Sequence, residues 1–209
     1  KKKNYDVYCS MQFVSFLLSS VAITVTYLVL DDLISVWLGN KFVLEPLVSL
    51  AIALNMYFSV VLMPIWSYRE ATGMYLQTKY VMVATAIVNL VVSIILGKTL
   101  GLAGILFATS IARISTYFWY EPKLLFKQFF EEKVWNYYKG IIKNIVVTLG
   151  VIIICSLIFS KVEVMNWRVF FIKAVSISIC SLTLTMVFYC KDPCFRKVKN
   201  IVRGLVKRV

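Results

Sequence analysis

Six apolar runs, each close to the length needed to cross a lipid bilayer, divide this chain: residues 11–30, 44–66, 80–96, 102–120, 142–159 and 169–189. About 20 such residues in a helix span the roughly 30 Å of hydrocarbon in a membrane. Inside lipid no water can satisfy the backbone amides, so each run has to be a helix. The runs are continuous rather than alternating, which argues against the strands of a membrane barrel. The expected fold is therefore all-α, a polytopic membrane helical bundle of about six transmembrane helices. Residues 1–122 form a four-span bundle. Residues 123–141 read as a cytoplasmic amphipathic helix on the membrane surface, 142–190 hold two further spans, and 191–209 form a basic amphipathic tail.

Composition agrees. The 209 residues are 60% hydrophobic and only 16% charged, whereas soluble domains run at about 45–50% and about 25%. The net charge of +13 arises from 23 Lys and Arg against 10 Asp and Glu. In a soluble protein that excess points to nucleic acid; here the bases fall between and beyond the apolar runs, so no nucleic-acid partner is expected. One side collects Lys1, Lys2, Lys3, Arg69, Lys79, Lys123, Lys127, Lys133, Lys139, Lys143, Lys191, Arg196, Lys197, Lys199, Arg203, Lys207 and Arg208. The other holds only Lys41, Lys98, Lys161 and Arg168. Cytoplasmic loops carry the excess of Lys and Arg, so both termini, the two long loops and the tail are expected in the cytoplasm. The amphipathic segments there suit anionic lipid headgroups. The opening Lys1-Lys2-Lys3-Asn4 reads as a loop, and the chain is expected to be a fragment.

The residue inventory argues against an enzyme. Histidine is absent, which removes His-based zinc sites, Ser-His and Cys-His pairs and histidine proton relays. Cys155 and Cys180 lie within spans, where a thiol behaves as a small hydrophobe; Cys190 and Cys194, near a cytoplasmic helix end, are not expected to form a disulfide. Gly97-Lys98-Thr99 lacks the preceding glycine of a nucleotide-binding loop. No cofactor or metal is expected. No Asp or Glu reads as lying deep in a span, which counts against a proton or sodium site.

Arg113 most needs explaining. It lies about seven residues from the cytoplasmic end of its span, roughly 10 Å at 1.5 Å per residue, and a charge at that depth is costly. It either snorkels to the interface or binds an anion in a water-filled cavity. Lys173 is shallow enough to snorkel. Asn55 and Asn89, inside spans two and three, either bond a neighbouring helix or line a polar path. Pro64 should kink or end its helix, and Glu121-Pro122 should stop span four. Arg69 and Glu70, at the inner boundary before Gly73, are a candidate cytoplasmic gate. Asp31 and Asp32 read as boundary charges.

Several stretches then read together: Val36-Trp37-Leu38-Gly39, and the run from Pro64-Ile65-Trp66 through Tyr68-Arg69-Glu70-Ala71-Thr72-Gly73. They continue with Asn89-Leu90-Val91-Val92, Gly101-Leu102-Ala103-Gly104, Ala112-Arg113-Ile114 and Trp119-Tyr120-Glu121-Pro122. Their order resembles the C-terminal part of Wzx-type polysaccharide flippases, in the multidrug/oligosaccharidyl-lipid/polysaccharide exporter superfamily. The resemblance covers residues 33–130 in detail and the last two spans in general character. It implies most of the second lobe of a bacterial inner-membrane protein that turns an undecaprenyl-pyrophosphate-linked sugar repeat unit to the outer leaflet by alternating access. Its partner would be the missing N-terminal half of the same protein. It further implies that Arg113 faces a cavity and meets the pyrophosphate, with Arg69 a second basic candidate at the inner mouth. The alternatives are a cation-coupled multidrug exporter of the same superfamily, a membrane-embedded polysaccharide polymerase or ligase, and a structural membrane subunit.

Lys3→Cys and Lys199→Cys, each made in a background without the native cysteines, should react with a membrane-impermeant maleimide only after the cells are permeabilised. Labelling of the two from opposite faces would overturn the orientation.

Overall fold

The computed structural model describes residues 2–130 and 132–190, with Asp192, Cys194, Phe195 and Val198 beyond them. Among these residues the chain is all helix, with no strand, and five helical runs are long and apolar enough to cross a membrane. It is an all-α polytopic bundle.

Helix α1 spans Lys2–Leu38 without a glycine or proline to interrupt it, and stops at Gly39, whose φ is 101°. It therefore runs well past Asp31-Asp32. A short 3₁₀ turn, Asn40–Phe42, leads to α2, Pro46–Thr72, with a proline opening its first turn, where a missing N–H costs nothing. Pro64 does not end α2, which continues two more turns. Gly73 ends it in the left-handed conformation, with the Gly73 N–H on the Glu70 carbonyl and the Met74 N–H on the Arg69 carbonyl, the pairing that satisfies a helix's last carbonyls.

Helix α3, Tyr75–Ser115, contains spans three and four as two arms of one hairpin, and this reconciles six expected spans with five apolar helical runs. At Gly101 the backbone takes φ 56° and ψ −134°, a conformation closed to residues with a Cβ. The Thr85 and Thr116 hydroxyls meet at 2.6 Å, and the Tyr120 hydroxyl donates to the Gln77 carbonyl at 3.3 Å. In a straight helix Thr85 and Thr116 would stand about 46 Å apart. The connection is one residue, tighter than residues 97–101. The arms touch at Gly104, where a Cβ would come within 2.1 Å of the Leu96 carbonyl oxygen.

The second arm does not stop at Glu121-Pro122. It breaks at Thr116 (φ −120°, ψ −97°) and resumes as α4, Tyr117–Leu125, with Pro122 inside it, followed by a π-helical turn, Phe126–Phe130. Helix α5, Trp135–Phe159, and helix α6, Trp167–Tyr189, complete the bundle; the Asn166 side chain caps α6 by accepting from the Val169 N–H. The stretch expected as one surface helix, 123–141, is thus divided between the end of α4, the π turn and the start of α5. Phe126, Phe130, Tyr137 and Tyr138 from it are buried in the main core. The tail from Lys191 lies, apart from the four residues named above, outside the described residues.

Helix α1 is central and packs on α2, α5 and α6, whereas α3 packs on α2 and α4. One end of the bundle holds an aromatic core in which Tyr8, Tyr68, Phe126 and Phe130 stack edge to face. At the other end α1 is fastened by two carboxylates: Asp31 accepts from Ser49, and Asp32 pairs with Lys173 at 2.6 Å. Lys173 therefore does not snorkel, and Asp32 is more than a boundary charge.

Gly104→Ala should separate the hairpin arms and cost about 1–3 kcal/mol, as overpacking does, read as a lower unfolding midpoint in detergent. Gly150→Ala, with open space around its site, should not lower it.

A polar seam as the candidate functional site

Helix α2 and the second arm of α3 run side by side in the same direction, and their polar residues meet in rungs. The Asn55 side-chain amide donates to the Leu106 carbonyl at 2.8 Å, and its oxygen accepts from the Ser110 hydroxyl at 2.8 Å. One turn on, an Arg113 Nη donates to the Ser59 hydroxyl at 2.8 Å and to the Asn55 carbonyl at 3.4 Å, and the guanidinium carbon lies 5.7 Å from the centre of the Trp66 ring. Trp66 packs edge to face on Tyr117. At the end of the seam an Arg69 Nη donates to Glu121 Oε1 at 2.7 Å.

Geometry here sorts the expected site residues. Asn55 bonds a neighbouring helix, and with Arg113 it forms one continuous site. Asn89 stands apart: its side chain accepts from Ser93 on its own helix. Arg69 and Glu70 approach only to 3.9 Å, and the Glu70 side chain is 61% exposed. The gate pair expected at that boundary is replaced by Arg69 with Glu121, whose side chain is 0% exposed. Glu121, expected to mark the end of span four, is fully buried within the bundle instead. Because α4 carries the helix past Pro122, Glu121 is turned inward instead of marking a loop.

Arg113 is partly buried and differs from Arg69 in its company. Its partners are neutral oxygens and an aromatic face, and among the described residues no carboxylate lies within 4.0 Å of it. A guanidinium held this way keeps its charge for something else.

A second polar cluster, not foreseen from sequence, joins four helices around the fully buried Asn144 of α5. Its oxygen accepts from the Tyr57 hydroxyl at 2.7 Å; its amide donates to the Phe16 carbonyl at 3.4 Å and to the Tyr189 hydroxyl at 3.3 Å. Beside it the Ser20 and Thr148 hydroxyls meet at 2.5 Å. The single lysine-flanked Asn144 in an apolar run gave no periodic signal. Near the aromatic end of the bundle lies a cavity of about 160 Å³ walled by Gln12, Phe16, Tyr137, Lys143, Tyr189 and Asp192 among others; Arg113 is not in its wall.

No family model, no curated protein and no solved structure matches the chain.

Removing Arg69 by Arg69→Met should strand the buried Glu121 charge and cost about 3–5 kcal/mol, seen as a marked drop in thermal unfolding in detergent. Glu70→Gln, at an exposed pair, should change stability by less than about 1 kcal/mol.

Proposed function

We propose that this chain is part of a bacterial inner-membrane flippase that moves a lipid-linked oligosaccharide repeat unit across the bilayer for surface polysaccharide assembly. The observation that carries this reading is Arg113: a partly buried guanidinium fixed by Ser59, the Asn55 carbonyl and Trp66, without a described carboxylate to neutralise it. An intramembrane charge left in that state suits an anionic cargo, and the planar fork of Arg matches phosphate oxygens two at a time. The cargo chemistry is that of an undecaprenyl-pyrophosphate-linked sugar, with the pyrophosphate on Arg113.

Flipping of a lipid headgroup needs a polar path and a change of access rather than covalent chemistry. The seam supplies polar groups along α2 from Asn55 to Arg69. In this reading the end of the bundle rich in Lys faces the cytoplasm, both ends of the chain lie there, and the bases bind anionic lipid. A first lobe of the same protein would face the seam and complete the alternating-access cycle.

The buried Glu121 speaks for a second reading, a cation-coupled multidrug exporter, because such coupling uses a deep carboxylate. Glu121 is, however, already held by Arg69 at 2.7 Å, which leaves it no free charge for a cation. The flippase reading is the better supported.

In the native cell, Arg113→Ala should reduce surface polysaccharide by about tenfold or more, the equivalent of losing a hydrogen bond to a charged group. Arg113→Lys, with the charge but without the fork, should retain part of it. Gel analysis of surface polysaccharide, normalised to protein level in the membrane, checks both; normal polysaccharide in both variants would refute the reading.

A further inference from the structure

The ion pair at the end of the seam is unfinished. Arg69 uses one Nη on Glu121 Oε1, while Arg69 Nε, buried, has no hydrogen-bond partner; Glu121 Oε2 has none either. A guanidinium and a carboxylate that serve only to brace helices settle readily into two parallel hydrogen bonds, and buried polar atoms are almost always paired. Here the single contact leaves one buried donor edge of the cation unpaired. A third buried atom without a partner is the Tyr137 hydroxyl of α5. The element that carries Glu121 is also bounded in a particular way. Helix α4 lies between the backbone break at Thr116 and the π-helical turn Phe126–Phe130, and π turns recur at functional sites.

We infer that Glu121 is a displaceable counter-ion, holding Arg69 until a phosphate-class oxyanion takes its place on the guanidinium. This rests on the flippase reading in taking the anion from a lipid headgroup, although the chemistry is shared by any phosphate. In the resting state Glu121 neutralises Arg69, so the seam presents one open cation, Arg113, rather than two. An arriving oxyanion can accept from the unpartnered Nε–H and then from the Nη that Glu121 holds. The carboxylate is set free, and α4 is released from α2 between its two irregular ends. Glu121 thus acts as a positioning residue that sets when the second cation becomes available.

The test uses the full chain in phosphatidylcholine nanodiscs, titrated with inorganic pyrophosphate by calorimetry, and a parallel arm in which phosphatidylglycerol replaces part of the lipid and its retention around the protein is measured. Glu121→Gln should bind the anion about tenfold more tightly, the equivalent of freeing one charged donor, and adding Arg69→Gln should abolish the gain. A gain in the pyrophosphate arm identifies a free phosphate as sufficient; a gain confined to the lipid arm identifies the headgroup. No gain in either arm, or a gain that survives Arg69→Gln, overturns the inference and leaves Glu121 a structural partner only. Thermal unfolding accompanies each variant. Should Glu121→Gln not fold, Glu121→Asp, which keeps the charge on a shorter stem, should show the same gain in smaller measure, and its absence there counts equally against the inference. Arg113→Ala separates the two claims: unchanged binding in it, beside an intact Glu121→Gln gain, refutes the cargo role of Arg113 and spares the counter-ion.

Discussion

Helices that satisfy their own backbones have only side chains with which to hold one another, and in an apolar surrounding burial of Leu or Val against a neighbour gains little over burial against lipid. Close approach and buried hydrogen bonds then decide which helices meet. Both devices recur here. Ala51 and Ala53 of α2 and Ser19, Ser20 and Thr24 of α1 are buried small residues that let the helices close up. Asn144 gathers α1, α2, α5 and α6 around one amide, and Asn55 fastens α2 to α3. The bundle is assembled by its few polar residues, and its many apolar ones fill the space between.

The same constraint separates the two arginines of the seam. Each lies on the boundary between α2 and the second arm of the hairpin or its continuation, yet they are treated differently. Arg69 has a buried carboxylate within 2.7 Å, and Arg113 has a hydroxyl, a carbonyl and an indole face. Neutral acceptors orient a guanidinium without cancelling its charge, while a carboxylate does both. The seam therefore holds one cation with its charge uncancelled and one in check, with Tyr117 edge to face on Trp66 beside them.

Apolar length and the scarcity of internal charge made the all-helical bundle, and the presence of every span, legible in the sequence, because the lipid constraint acts on runs of 20 residues at a time. Arg113 and Asn55 were legible for the same reason: a polar residue in such a run has to be explained. What escaped was set by contacts between distant residues. Glu121 looked like the end of a span because Pro122 follows it, but a proline is tolerated inside a helix whose neighbours make up for the lost bond. Lys173 looked shallow enough to reach water, and its match to Asp32, 141 positions away, has no local signature. The aromatic residues of 123–141 fell at helical spacing and suggested a surface helix. Their burial against Tyr5 and Tyr8 depends on how α4 and the π turn bring the chain back beside the start of α1.

The one-residue turn at Gly101 has a consequence for how the chain enters a bilayer. Two apolar arms joined at a single residue, with only Lys98 and Thr99 polar beside the bend, give the first arm little to anchor it in water while the second follows. They must partition sideways into lipid as a pair, already back to back, carrying the lone Lys98 across at their tip. The close contact of Gly104 on Leu96 lies wholly within the pair, so the hairpin can close on itself without help from another helix.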